Sequence, residues 1–148
     1  MNTYLKNYHH IVFSTKHRSA CLTKPGREDL YRFITGILRN KRCKLYQING
    51  VDDHIHILSH IHPDQSLSGL VKDIKLASTC FIKEMQLFET FSGWQNGYAA
   101  FTHSEKEKSR LIQYIKNQEQ RHKVDSFTVE LRALLKEHKV DFDEKYLV

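Results

Sequence analysis

The stretch Asp53-His54-Ile55-His56-Ile57-Leu58 constrains this chain more than any other. Apolar residues alternate with histidines at period two, which is the pattern of a β-strand. Alternation sends Ile55 and Ile57 to one face and His54 and His56 to the other. With the isoleucines on a core, two imidazoles stand side by side on the opposite face of a rigid sheet. Neutral imidazole is a competent ligand for a divalent metal, and a sheet fixes its geometry. A half-exposed strand with histidines toward solvent has the same pattern. In a chain with 10 His the pair alone favours that second reading.

The segments around this strand fall into a regular order. Tyr8 to Thr15 is rich in β-branched and aromatic residues and predicts a first strand. The basic trio Lys16-His17-Arg18 follows, either a solvated turn or a phosphate contact. Pro25 and Gly26 punctuate before a helix predicted from about Arg27 to Arg39, with Leu30, Phe33, Ile34, Ile37 and Leu38 as its buried stripe. Cys43 to Asn49 predicts a second strand. Asn49-Gly50 is a turn signal, so the second strand and the His strand are antiparallel neighbours. Ser66 or Asp64 caps a second helix reaching about Leu87, with Leu67, Leu70, Val71, Ile74, Phe81, Ile82 and Met85 facing inward. Lys72, Lys75 and Lys83 lie off that stripe. Trp94 and Tyr98 are expected in packing. Gly97 to Phe101 predicts a last short strand. Ser104 and Glu107 match a capping box at the start of a helix running to about His122. On that helix Tyr114 and Gln118, four apart, share a face. Ser126 caps a final helix, Phe127 to His138, and a short tail follows.

This order, β-α-β-β-α-β with C-terminal helices, predicts an α+β chain with a ferredoxin-like (RRM-like) antiparallel sheet. The chain is expected to form one domain over residues 1–148. Its first 125 residues hold the sheet, two packing helices and the Tyr helix, and residues 126–148 the closing helix and tail.

Composition narrows the partners. The 148 residues are enough for one core of ordinary size. No apolar run approaches a membrane span, and the N-terminus lacks the apolar core of a secretory signal. Cys21, Cys43 and Cys80 are odd in number and widely spaced, which fits a reducing cytoplasm and no thiolate metal site. A net charge of +6 favours a polyanionic partner.

Taken together, the His pair, the Tyr-x-x-x-Gln spacing and the basic composition resemble the single-tyrosine HUH transposases of small bacterial insertion sequences, the IS200-like transposases. The resemblance covers nearly the whole chain. It is carried by YHHIVFSTKHR (Tyr8 to Arg18), VDDHIHIL (Val51 to Leu58), SLSGLVKDIKLAS (Ser66 to Ser78), WQNGYAAF (Trp94 to Phe101) and YIKNQEQRH (Tyr114 to His122). The resemblance implies that His54, His56 and Gln118 bind Mg²⁺ or Mn²⁺. It implies that Tyr114 is the nucleophile, cutting one DNA strand to leave a 5′-phosphotyrosine and a free 3′-hydroxyl. The expected substrate is single-stranded DNA with hairpins at element ends. The expected assembly is a homodimer whose sites are completed in trans, a reading helped by the polar character of Gln113 to Lys123. Lys16, His17, Arg18, Lys72 and Lys75 are weaker candidates for DNA contacts. Related sequences often carry His-His shortly after the Gln; here Arg121 stands in place of the first, as a substitute cation.

The residue types suit that chemistry. A metal offsets the charge of a phosphodiester. A phenol, neutral at pH 7, needs activation. The covalent link conserves the energy of the broken bond, so another strand's 3′-hydroxyl reseals it. A non-catalytic nucleic-acid-binding module would instead use exposed aromatics such as Tyr8 and Tyr46. A metal-dependent hydrolase would use water. A domesticated relative that processes host repeats would keep the same chemistry. His9, His10, His60 and His62 are expected to be structural or exposed.

Overall fold

The computed structural model describes residues 3–147. Met1, Asn2 and Val148, counted above within the domain, lie outside the described residues. Four strands, β1 (Tyr8–Ser14), β2 (Leu45–Gly50), β3 (His54–His60) and β4 (Ala99–His103), form one antiparallel sheet in the order β2-β3-β1-β4. That order is the ferredoxin-like arrangement, with β1 and β3 central.

The period-two pattern of the central strands decides what each face carries. Ile11 and Phe13 of β1 and Ile55 and Ile57 of β3 are buried against α1 (Lys24–Asn40) and α2 (Leu67–Met85), together with Leu30, Ile34, Leu38, Leu70 and Ile74. Phe33 and Phe81 join the two helices, their rings stacked 4.2 Å apart. The alternate residues form the other face: Tyr8, His10 and Val12 on β1, and His54, His56 and Leu58 on β3. That face does not meet solvent. It is covered by α3 (Lys108–Lys116), α4 (Gln118–Arg121) and α5 (Phe127–Glu137), through one cluster of Val12, Phe101, Phe127, Leu134 and Leu135 and another of Tyr8, Leu58, Leu111 and Ile115.

Local chemistry explains the element ends. Ser66 caps α2, its hydroxyl accepting from Gly69 N at 3.0 Å, and Ser126 caps α5 in the same way from Val129 N at 3.3 Å. Ser104 and Glu107 form the expected capping box. Four expectations are corrected. Met85, placed on the inward stripe of the second helix, is 62% exposed at the end of α2. Pro25 and Gly26 lie inside the first turn of α1, where proline's missing N–H costs nothing. Asn49-Gly50 is not a turn: β2 runs through it, and Asn49 Nδ2 donates to the carbonyls of Ile115 and Lys116. Gly50 stands where a Cβ would meet the His54 carbonyl at 2.3 Å, so the glycine serves close strand approach. The helix predicted through His122 is broken at Asn117 (φ −91°, ψ 16°), which separates α3 from α4.

Candidate active site

The site grows from β3. Register pairs His56 with Val12 and His54 with Ser14, so His10, two residues back on β1, lies diagonally beside His56 on the same face. His54 and His56 are fully buried. Asp53, the residue before the strand, accepts from His54 Nδ1 at 2.7 Å and turns Nε2 into the site. His10 Nε2 lies 2.8 Å from His56 Nδ1 and turns the second Nε2 the same way. These carboxylate and imidazole partners are the kind that orient metal-ligating histidines.

Both Nε2 atoms point at Glu130 of α5. Its Oε1 lies 3.2 Å from His54 Nε2, 3.1 Å from His56 Nε2 and 3.0 Å from His122 Nε2. Its Oε2 accepts from the Tyr114 hydroxyl, and from Gln118 Nε2 at 2.9 Å. Gln118 Oε1 is 3.3 Å from His54 Nε2 and 3.0 Å from His122 Nε2. The structure therefore brings together all four central residues expected from the sequence, within one chain. The kink at Asn117 does not separate Tyr114 from Gln118, because both reach the same carboxylate. The polar segment Gln113 to Lys123 is thus docked on its own His pair, with Gln118 fully buried, and does not stand free of its own domain.

Sequence reasoning missed three participants. Glu130 falls at Phe127 plus three and Leu134 minus four, on the buried stripe of α5; a lone carboxylate among apolar stripe positions was the available signal. His122, the second position of the variant His-His pair, reaches the site itself. His10, expected to be structural or exposed, is fully buried against His56.

Electrostatics follow from this enclosure. Burial alone would raise the Glu130 carboxyl, but hydrogen bonds from His122, His54 and His56 outweigh it and hold it well below the usual carboxylate range. His54 is pushed up: burial opposes its charge, and Asp53 and Glu130 overcome that. His56 and His10 are pushed down, chiefly by burial. Tyr114 is pushed well above the ordinary phenol range by burial and then by Glu130. In this arrangement the phenol is a neutral donor and Glu130 an anion.

The donor set fits a divalent cation. One ligand atom from each of His54, His56, His122 and Glu130 falls within 4.8 Å of the others, and the Gln118 amide oxygen adjoins them. Imidazoles with a carboxylate suit Mn²⁺, whereas Mg²⁺ prefers oxygen ligands alone.

The cationic candidates divide. Arg121 Nε lies 3.2 Å from Glu130 Oε2, and its guanidinium sits over the Tyr114 ring at 5.4 Å. Arg18 donates to Thr128 of α5 and lies over Phe127, whose ring in turn stacks on His54 at 4.2 Å. Lys75 Nζ is held by the carbonyls of Gln95 (2.8 Å) and Gly97. Lys16, His17 and Lys72 are exposed. Trp94 is packing, as expected: it meets Phe13 edge-on and donates to Ser78 Oγ at 2.9 Å.

Comparisons with known proteins give the family and the fold. Residues 3–118 match the family model described as transposase IS200 like. The ISDra2 transposase TnpA of Deinococcus radiodurans is 26% identical over 115 residues, covering 74% of this chain and 82% of that protein. Among solved structures, a Deinococcus radiodurans R1 protein assigned as a transposase superposes with a TM-score of 0.60 at 22% identity, over 80% of this chain and 95% of that one. A REP-associated tyrosine transposase bound to a REP hairpin superposes with a TM-score of 0.61 at 16% identity, over 82% and 74%. Strand order, buried His pair and family match converge: the chain belongs to the IS200-like transposases.

Proposed function

We propose that this chain cuts and rejoins single-stranded DNA through a 5′-phosphotyrosine at Tyr114, with Mg²⁺ or Mn²⁺ held by His54, His56 and Gln118, joined by His122 and Glu130. One observation carries the reading: the Tyr114 hydroxyl and the imidazoles of His54 and His56 meet on the two oxygens of one buried carboxylate, Glu130. That puts a nucleophile one carboxylate away from a metal donor set.

A cation held by these residues would supply positive charge to offset that of the scissile phosphate. The chain's own residues do the rest. The Tyr114 oxygen attacks phosphorus, forming the Tyr–O–P bond as the P–O3′ bond breaks. Glu130 Oε2, which accepts from the Tyr114 hydroxyl, orients that oxygen, and the phenol's proton passes to water as the new bond forms. The departing 3′-oxygen takes a proton from water. In the return step an incoming 3′-hydroxyl attacks the same phosphorus and tyrosine leaves. Arg121, beside both Tyr114 and Glu130, is placed to steady negative charge on either.

Nucleophile and ligands come from the same chain in this reading. A dimer with sites completed in trans would need α3 and α4 to leave Glu130. The structural neighbour whose solved structure holds a REP hairpin supports a hairpin partner in this reading. The binding-module alternative is disfavoured, because Tyr8 is 2% exposed beneath α3 to α5 and Tyr46 is half-buried, edge-on to the Tyr8 ring. Free, widely spaced cysteines fit work in the cytoplasm.

The test is a denaturing gel of 3′-labelled single-stranded DNA carrying the flanking hairpin ends, incubated with protein and Mn²⁺. A labelled covalent adduct is expected, absent with EDTA, in Tyr114→Phe and in His56→Ala. Cleavage that survives Tyr114→Phe without an adduct would mean water is the nucleophile, and the reading would be wrong.

A further inference from the structure

His54 and His56 reach the site by different second partners, and the difference has a chemical consequence. His54 donates Nδ1–H to Asp53. A carboxylate only accepts, so His54 offers Nε2 to a metal with no change at Nδ1. His56 has another imidazole, His10, at Nδ1, and an imidazole either donates or accepts.

Without metal, His56 Nε2 faces the Glu130 anion at 3.1 Å and must carry a proton to bond it. Its Nδ1 is then a lone pair, and His10 Nε2–H donates to it. With a cation on His56 Nε2 that nitrogen must be a lone pair. Neutral His56 then carries its proton on Nδ1 and donates to His10 Nε2, and His10 carries its own proton on Nδ1. That last atom is the notable one. His10 Nδ1 is buried with no hydrogen-bond partner, and so is His103 Nε2. Both residues line one partly open cavity of about 30 Å³, together with Arg110, Leu111, Tyr114, Leu134, Glu137 and His138. The two rings are 6.2 Å apart between centroids, and the His103 side chain is 3% exposed. The volume suits one water, and two polar ring atoms are enough to hold it.

We infer that His10 is a positioning residue for the metal site, its ring exchanging tautomer with His56 so that His56 serves Glu130 without metal and the cation with it. The cavity beside His103 supplies the group that bonds His10 Nδ1 in either state. Protons balance: His56 gives up Nε2–H and takes His10's Nε2 proton at Nδ1. His10 is re-protonated at Nδ1 through the cavity, and the proton released from His56 Nε2 leaves to solvent. Each ring holds one proton before and after. This inference rests on the metal reading above.

The experiment uses the full chain labelled with ¹⁵N-histidine, reading ring tautomers by long-range ¹H–¹⁵N correlation with and without Zn²⁺ as a diamagnetic probe. Expected are Nε2–H at His56 and His10 without metal and Nδ1–H at both with it. Manganese affinity is then measured by electron paramagnetic resonance for the wild type, His10→Leu and His10→Gln. His10→Leu is expected to bind roughly 10- to 100-fold more weakly, the usual cost of losing such a partner. His10→Gln, whose amide both accepts and donates, should recover most of it. A wild type that binds neither ion would overturn the metal reading and this inference with it. A wild type that binds while His10→Leu binds equally well would overturn this inference alone, as would a His10 ring whose tautomer does not change on loading. Should His10→Leu fail to fold, the wild-type spectra decide the matter.

Discussion

Replacing Glu130 by alanine tests whether one carboxylate organises the site, and it can be done on metal-free protein. The Glu130 side chain is fully buried and meets three imidazoles, the Tyr114 hydroxyl, the Gln118 amide and Arg121. Truncation strands those donors in a space shut off by α5. Counting about 1–3 kcal/mol for each unsatisfied buried group would overshoot, because the imidazoles can stay neutral and water can enter the hole. The better guide is the loss of one partner from a buried charge cluster, about 3–5 kcal/mol. Against a total stability of about 5–15 kcal/mol that is a large share. With a urea m-value of about 1.5 kcal/mol/M, the midpoint should fall by roughly 2–3 M. Glu130→Gln keeps the shape and one acceptor but sets an NH₂ among donors, so its loss should be smaller. The assay is urea unfolding in EDTA, followed by circular dichroism at low temperature. An alanine variant as stable as the wild type would refute the view that Glu130 ties α5 to β3 and α3.

Other perturbations follow from single features. Ser126→Ala removes the cap of α5 and should cost about 1 kcal/mol in the same unfolding assay, with weaker Mn²⁺ binding because Glu130 lies in the first turns of that helix. Gly50→Ala drives a Cβ into the His54 carbonyl, so about 1–3 kcal/mol of overpacking cost should come with reduced metal affinity; wild-type affinity would show that β2 does not set His54. Glu107 titrates at about 2, below its ordinary 4.5, first because its carboxylate accepts from the Ser104 backbone and then because of His103. A depressed carboxylate contributes stability above its unfolded value and loses it as pH falls through the folded one. The melting temperature should therefore drop between about pH 4.5 and pH 2, and Glu107→Gln should flatten that part of the curve.

The fold was legible because its signals are local and repeated. A β-branched and aromatic run at Tyr8 to Ser14, a period-two run at Asp53 to Leu58, helical stripes on α1 and α2, and serine caps at 66, 104 and 126 all point the same way. Where the reading slipped, a tertiary contact overrode a local rule. Asn49-Gly50 has the composition of a turn, yet Asn49 is spent on the carbonyls of α3, and Gly50 on the close approach to His54. Asn117 breaks a helix whose side-chain pattern runs on through it, and no pattern rule sees the docking of Gln118 that the break accompanies.

The site divides along the same line. His54 and His56 lie in a short motif readable from its own neighbours, whereas Tyr114 and Gln118 are related locally only by their spacing of four, and the family resemblance is what singles them out. Glu130 lies in no such motif: it sits 74 residues from His56, and it meets the His pair only because Phe127, Leu134 and Leu135 lay α5 across Val12 and Phe101. His10 is hidden for the opposite reason. It stands in the middle of an ordinary strand, and only the diagonal offset between β1 and β3 makes it a neighbour of His56. His10 is a second partner to a residue that was visible, and Glu130 joins the donor set itself. A metal-binding strand has two ring nitrogens per histidine to satisfy, and both sides of each ring must be read from structure: behind the ligands Asp53 is given by adjacency and His10 by register, and on the metal side Glu130 is given by a helix that arrives from the far end of the chain. If that ordering is right, Asp53→Asn should affect His54 alone, His10→Leu should affect His56 alone, and Glu130→Ala should affect both.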